Sequence, residues 1–198
     1  MALVRPARSQ ELPEVAALLG RVFGTDEMLR WTFPPEADMA AAAERFFTIF
    51  HRAALDGGWI WVLGEAGIDG MAMWVPPDPD DRYGRVMTEI DDAVAGLVGE
   101  CKPRYDAFWA WIDAHRPTAP HWYLEHVAVD ADRRGVGLGR ALIDHGLGRA
   151  DADGVPAWLV TSKSANVPLY ERFGFAVDAA EDAPDGGPRL RFMVRDPR

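Results

Sequence analysis

The stretch Val127-Ala-Val-Asp-Ala-Asp-Arg-Arg-Gly-Val-Gly-Leu-Gly-Arg-Ala-Leu142 sets three alternating glycines, flanked by arginines, between a β-branched strand and a helix. Glycines at 135, 137 and 139 let successive backbone N–H groups turn inward with no Cβ in the way, and the N-terminus of the following helix adds partial positive charge. Such a turn is a cradle for an anion. Its register decides which one. A G-x-G-x-x-G fingerprint would need glycine where Arg140 or Leu142 stands, and no G-x-x-x-x-G-K-[ST] loop occurs, so neither common nucleotide signature fits. The pattern R-x-x-G-x-G does fit, as Arg134, Gly137 and Gly139.

Further on, Asn166-Val-Pro-Leu-Tyr-Glu-Arg-Phe-Gly-Phe175 opens on an Asn, carries a Tyr one turn later and leaves through Gly-Phe. The two motifs, in this order and around a strand-helix-strand-helix pattern, resemble those of the GNAT acyltransferase superfamily, whose members hold the pyrophosphate of acetyl-CoA in the first. The resemblance implies acetyl-CoA as cosubstrate, no metal, and a cofactor site at Val127, Ala128, Val129, Arg134, Gly135, Val136, Gly137, Leu138, Gly139, Arg140, Asn166 and Tyr170. It also implies two parallel strands that splay, freeing N–H groups near Val127 to Val129. Among the phosphate candidates Arg133, Arg134 and Arg140, the motif singles out Arg134.

Composition bounds the class. The chain has 198 residues, 48% of them hydrophobic, which suits one domain with an ample core. Glu11 and Glu14 fall where a secretory leader would be apolar, and no apolar run reaches membrane-spanning length. One cysteine, Cys101, excludes an intrachain disulfide framework and a Cys-based metal site, pointing to the cytoplasm. The net charge of −10 argues against a nucleic-acid surface and favours a cationic substrate. A monomer or a homodimer is expected.

The periodicity predicts a strand at 3–6, a helix from a Ser9 cap to about Phe23, a helix over 39–55 stopped by Asp56-Gly-Gly58, and a hairpin of Trp59–Leu63 with Met71–Val75. An insertion at about 76–118 begins at Pro76-Pro-Asp-Pro-Asp-Asp81 and carries helices at 83–98 and 105–115. Strand 122–129, a helix from Gly137 to about Ala152 and strand 157–161 form a right-handed parallel unit. Asn166 is expected to cap the last helix and Gly174 to end it; strands at 175–179 and 190–194 then close the sheet around an acidic loop, 181–187. The expectation is a mixed α/β fold: a single domain over 1–198 with a mostly antiparallel sheet, two parallel strands at its centre and helices on both faces.

Thioester acyl transfer needs a neutral amine, a stabilised oxyanion and a protonated leaving thiolate. The resemblance places the family's acid at Tyr170. The acid that many members carry on the second parallel strand is missing here, where Leu159-Val160-Thr161 stands, so Glu125 becomes the candidate base, with His121 and His126 behind it. Strict alternation puts Glu125 on the face of Val127 and Val129, opposite His126. Phe108, Trp109 and Trp111 cannot share one helical face, so Trp109 or Trp111 is a candidate wall of the acceptor pocket. Over nearly the whole chain, details such as Ala114-His-Arg-Pro117 resemble the puromycin N-acetyltransferase branch, which implies a primary amine of a small molecule as acceptor, attacking directly in a ternary complex. Acetylation of a protein or peptide, and non-catalytic acetyl-CoA binding, are the alternatives.

Overall fold

A computed structural model describes residues 3–35, 37–55, 57–64, 67–77 and 82–198. Strand Arg5–Pro6 (β1) leads through one 3-10 turn into helix Leu12–Phe23 (α1), followed by helices Glu27–Thr32 (α2) and Met39–Leu55 (α3). Strands Ile60–Leu63 (β2) and Gly70–Val75 (β3) pair as the expected hairpin. Helices Arg82–Val98 (α4) and Lys102–Asp113 (α5) fill the stretch before strand Trp122–Val129 (β4). Helix Leu138–Asp153 (α6), strand Ala157–Thr161 (β5), helix Val167–Glu171 (α7) and strands Ala176–Asp182 (β6) and Arg189–Arg195 (β7) complete the chain. Asp56 and Asp78–Asp81, which the sequence assigns to a helix stop and to the start of the insertion, lie outside the described residues.

The strands form one sheet in the order β1-β2-β3-β4-β5-β7-β6. Every neighbouring pair is antiparallel except β4 and β5 at the centre, where the crossover through α6 forces a parallel pair. Helices cover both faces. On one, Phe46, Phe47 and Phe50 of α3, Val15 and Leu19 of α1, and Phe108 and Ile112 of α5 bury against Met73, Tyr123, Trp158 and Phe192. On the other, Leu142, Ile143 and Leu147 of α6 join Tyr170 and Phe175 against Trp74, Leu124 and Leu159. A Cβ at Gly146 would collide with the Trp74 indole, so glycine lets α6 lie against the sheet while Trp74 Nε1 donates to the Leu142 carbonyl at 3.2 Å.

Several local expectations are corrected. Ser9 does not cap α1: it opens the turn Ser9–Glu11, because Glu11 accepts from the Arg8 amide at 2.8 Å and from Arg5 at 2.6 Å, which organises the chain there instead. Helix α2 was not anticipated; the Asp26 carboxylate caps it by accepting from the amides of Met28 and Leu29 at 2.9 and 3.4 Å. The first two residues of the supposed acidic loop, Glu181 and Asp182, are strand, since β6 continues to Asp182, held by the Asp182–Arg189 cross-strand ion pair at 3.1 Å. Asn166 stands at the start of α7, but its side chain caps nothing there.

The correction that matters most concerns the central strand. β3 and β4 pair as Met73 with His126 and Trp74 with Leu124, so Glu125 is an extra residue, a β-bulge. The bulge breaks alternation. Glu125 therefore turns to the α4 side, bonded to Tyr83, and His126 lies on that same face among Phe23, Phe47 and Phe50, while Leu124, Val127 and Val129 pack on the other. The expected opposition of Glu125 to His126 is wrong for this reason.

Candidate active site

The parallel register of β4 and β5 stops at Leu124 with Leu159. Beyond it β4 runs on to Val129 bound only to β3, and β5 to Thr161 bound only to β7, so the sheet opens between them and the β5-side edge of residues 125–129 carries no strand partner. A cavity of about 140 Å³ sits at this opening, lined by Tyr123 to Val127 of β4, Val160 to Lys163, Asn166, Tyr170 and Trp109, and roofed by Phe23, Asp26 and Leu29.

Past the end of β4, after the 3-10 turn Ala131–Arg133, comes the glycine turn. Gly135 and Gly137 hold φ of 83° and 90°, the left-handed region that side chains rarely adopt, and Gly137 occupies the N-cap position of α6 with no side-chain cap. No neighbouring atom lies within 4 Å of where their Cβ atoms would be, so conformation rather than crowding demands glycine there. The amides at the start of α6 consequently remain available to an anion. Of the three arginines, Arg133 pairs with Asp69 at 3.2 Å and Arg140 with Asp144 at 3.3 Å, whereas Arg134 bonds only the Val129 carbonyl, at 3.4 Å. Among the described residues Arg134 is thus the one of the three without a carboxylate partner. Val136 is exposed, Leu138 and Gly139 begin the helix, and Ala128 is buried in the sheet.

Tyr170 and Glu125 line the same cavity from different elements. Tyr170 is buried on α7, Pro168 occupies the first turn where a missing N–H is harmless, and Gly174, at φ 94°, turns the chain out beyond the helix. Burial pushes the Tyr170 phenol up to about 12, so it is fully protonated at neutral pH, and no described residue bonds its hydroxyl. The Ser162 hydroxyl, in the lining of the same cavity, is buried without a partner among the described residues.

Burial raises the Glu125 carboxyl to about 7, against the opposing pull of the Arg116 guanidinium and hydrogen bonds from Tyr83 and Tyr123. A carboxylate at that value can accept a proton near neutrality. His126 is a poor rival: burial, followed by the proximity of His51, holds its imidazole well below the usual histidine range, inside a cage of three phenylalanines. His121 lies in a separate cavity of about 540 Å³ with the proline-rich segment 117–120, away from Tyr170.

Trp109 and Trp111 part company. Trp109 lines both the central cavity and a second one of about 330 Å³ between α4 and α5. Trp111 packs its ring on Phe192 at 5.5 Å and lines none of the cavities described, because a two-residue step on a helix turns it onto the sheet. Sequence reasoning missed Tyr83, Arg116, Tyr123 and Ser162. Arg116 stood in the noted Ala-His-Arg-Pro segment, but nothing local marks Tyr83, which reaches Glu125 across 42 residues of chain.

Residues 27–175 match the Acetyltransferase (GNAT) family. The chain belongs to that family. The match spans α2 to the Gly-Phe exit of α7, thereby including the opening between the strands, the glycine turn and Tyr170. An uncharacterized N-acetyltransferase of Schizosaccharomyces pombe is 28% identical over 147 residues, covering 69% of this chain; the chain spans only 60% of that relative's length. Among solved structures, a histone acetyltransferase HPA2 and related acetyltransferase from Corynebacterium glutamicum superposes with a TM-score of 0.73 at 25% identity, covering 100% of this chain and 97% of the other. The polyamine N-acetyltransferase of Drosophila melanogaster shares the GNAT fold at a TM-score of 0.65 and 17% identity, covering 99% and 100%. Among the described residues no helix is long and apolar enough to cross a membrane, and no cluster of His, Cys, Asp and Glu could hold a metal ion.

Proposed function

We propose that the protein moves the acetyl group of acetyl-CoA to the primary amine of a small molecule, by direct attack in a ternary complex. The observation that carries this reading is that Glu125, poised near neutrality, and the protonated phenol of Tyr170 line one cavity at the opening between β4 and β5. In this reading the diphosphate of the cosubstrate lies on the amides of the glycine turn with Arg134 beside it, and its pantetheine arm follows the unpartnered edge at Val127 to Val129 past Asn166.

The steps balance as follows. Glu125 takes a proton from the incoming ammonium, the freed nitrogen bonds to the carbonyl carbon, and the C–S bond breaks. Tyr170 gives its proton to the departing sulfur and regains one as the nitrogen becomes an amide. A phenol near 12 is a weaker acid than an ordinary tyrosine, which makes complete transfer to a thiolate ordinarily near 8.5 uphill. The same desolvation raises the thiol, which narrows the gap, and a hydrogen bond that strengthens as charge builds on sulfur does the rest.

Size and charge bear on the acceptor. The central cavity is smaller than the roughly 300 Å³ at which pockets for drug-sized ligands begin. It therefore suits the reacting groups rather than a whole substrate. The adjoining cavity between α4 and α5 shares Glu125 and Trp109 with it and adds Tyr83, Tyr105 and Arg116; its three aspartates are paired with Lys102 or Arg116, so its ring faces are what would receive the body of a small amine. The likeness of Ala114-His-Arg-Pro117 to the puromycin N-acetyltransferase branch points the same way. Acetylation of a protein amine, the activity named for the Corynebacterium structure, fits less well because α4 and α5 cover Glu125.

A thiol-release assay of the purified chain, with acetyl-CoA against a panel of diamines, aminonucleosides, amino-acid amides and lysine peptides, tests the proposal. Turnover with small amines and none with peptides is expected. Peptide-selective turnover would move the assignment to a protein acceptor, and bound acetyl-CoA without thiol release for any amine would overturn it.

A further inference from the structure

Glu125 sits in a cluster assembled from three separated parts of the chain. Tyr83, in the first turn of α4, donates its hydroxyl to Oε2 at 2.7 Å, and Tyr123, two residues earlier on β4, also favours the charged carboxylate. Arg116, just beyond α5, spreads its guanidinium over the rings of Tyr83, Tyr123 and Trp158, with its carbon 4.8, 4.7 and 5.1 Å from their centroids. Its Nε is tied to Asp113 at 2.9 Å. The three rings hold the guanidinium by cation–π contact. Tyr83 and Arg116 stand at opposite ends of the α4–α5 stretch, so that stretch does more than wall a pocket.

We propose that Tyr83 and Arg116 are positioning residues for Glu125: the phenol fixes the direction of its carboxylate and the guanidinium supplies the positive charge that lets it accept a proton, so that the two ends of the α4–α5 stretch complete the base. This rests on the reading of Glu125 as the base. The buried carboxyl faces opposing influences. Burial favours its neutral form; Arg116, then Tyr83 and Tyr123, favour the charged one, and Asp113 works against them. The other ionisable groups nearby are Tyr105, Asp91 and Asp106 in the adjoining cavity, with both of these aspartates paired to Lys102, and Asp26 and Lys163 in the cleft. His126, held neutral, adds no charge. Losing the phenol or the guanidinium would tilt Glu125 toward its protonated form, so that an incoming ammonium would meet an ionised base less often.

Glu125 accepts a proton only when ionised, so activity should climb as pH rises through about 7. Removing a group that favours the charged form must move that climb to higher pH. The experiment measures kcat/KM for a small amine from about pH 5 to 9 in the full chain, with acetyl-CoA binding measured alongside. The amine's own titration, near that of a lysine at about 10, is common to every variant. Tyr83→Phe, which deletes one oxygen, should shift the acidic limb up by roughly half a unit or more while acetyl-CoA binding holds. Arg116→Gln should shift it further and Arg116→Lys should return part of the way. A purely structural role would change amplitude or melting temperature and leave the limb in place. If Arg116→Gln does not fold, Tyr83→Phe carries the test alone. A limb that Glu125→Gln abolishes but Tyr83→Phe leaves unmoved overturns this inference only; a limb that Glu125→Gln leaves intact overturns the base assignment beneath it.

Discussion

On one wall of the cleft the backbone is what is on offer: Gly135 and Gly137 turn through positive φ, the first amides of α6 are uncapped, and the β5-side edge of β4 past Leu124 has no strand partner. On the other wall side chains are on offer, with Tyr83, Trp109 and Arg116 brought toward Glu125 from α4, α5 and the segment behind them. In the proposed reading the first kind of site would hold phosphate and amide partners of the donor, and so could serve any acyl acceptor. The second discriminates, because ring faces and charges are set by identity at each position. The pairing suits an enzyme with a fixed donor and a particular acceptor.

Four substitutions sharpen or break that contrast. Tyr170→Phe should have the largest effect, lowering turnover by about 10²-fold or more while acetyl-CoA affinity stays within about twofold; titration calorimetry beside steady-state rates separates the two, and unchanged turnover removes the phenol from the reaction. Gly137→Val comes next. Forcing a β-branched residue into the left-handed region costs roughly 1–3 kcal/mol, which should weaken acetyl-CoA binding by about 10- to 100-fold with circular dichroism unchanged. Retained affinity would mean that the turn does not hold the diphosphate. The smallest effects divide the two tryptophans: Trp109→Ala should raise the KM for the amine several-fold at a near-normal melting temperature, whereas Trp111→Ala should spare KM and cost about 2 kcal/mol of stability through its lost packing on Phe192. The reverse outcome would put the acceptor elsewhere.

The same contrast explains what could be read from the amino-acid order. Strands β4 and β5 and helix α3 were placed to the residue, because apolar periodicity and flanking turn residues are local. The glycine turn was legible for a related reason: a left-handed backbone needs glycine, and the requirement shows in the text of the chain. Helix α2 escaped because it is a short six-residue element whose main signal is its Asp26 cap. The orientation of Glu125 escaped for a deeper reason. A period-two count assumes an unbroken ladder, but the bulge depends on how β3 pairs with β4, which no single strand reveals. Arg116 and Tyr83 were invisible as functional residues for the same cause, since their meaning lies in a partner far along the chain. Asn166 was misjudged in role because Asn before a helix normally reads as a cap, and here the 3-10 turn of Ser164–Asn166 takes up that place.

Only Trp122, Tyr123 and Leu124 stitch β4 to β5, so β1–β4 and β5–β7 are two leaves bound along a short spine rather than one plate. A cosubstrate bound in the gap, as proposed, would touch both leaves at once and brace them for as long as it stayed.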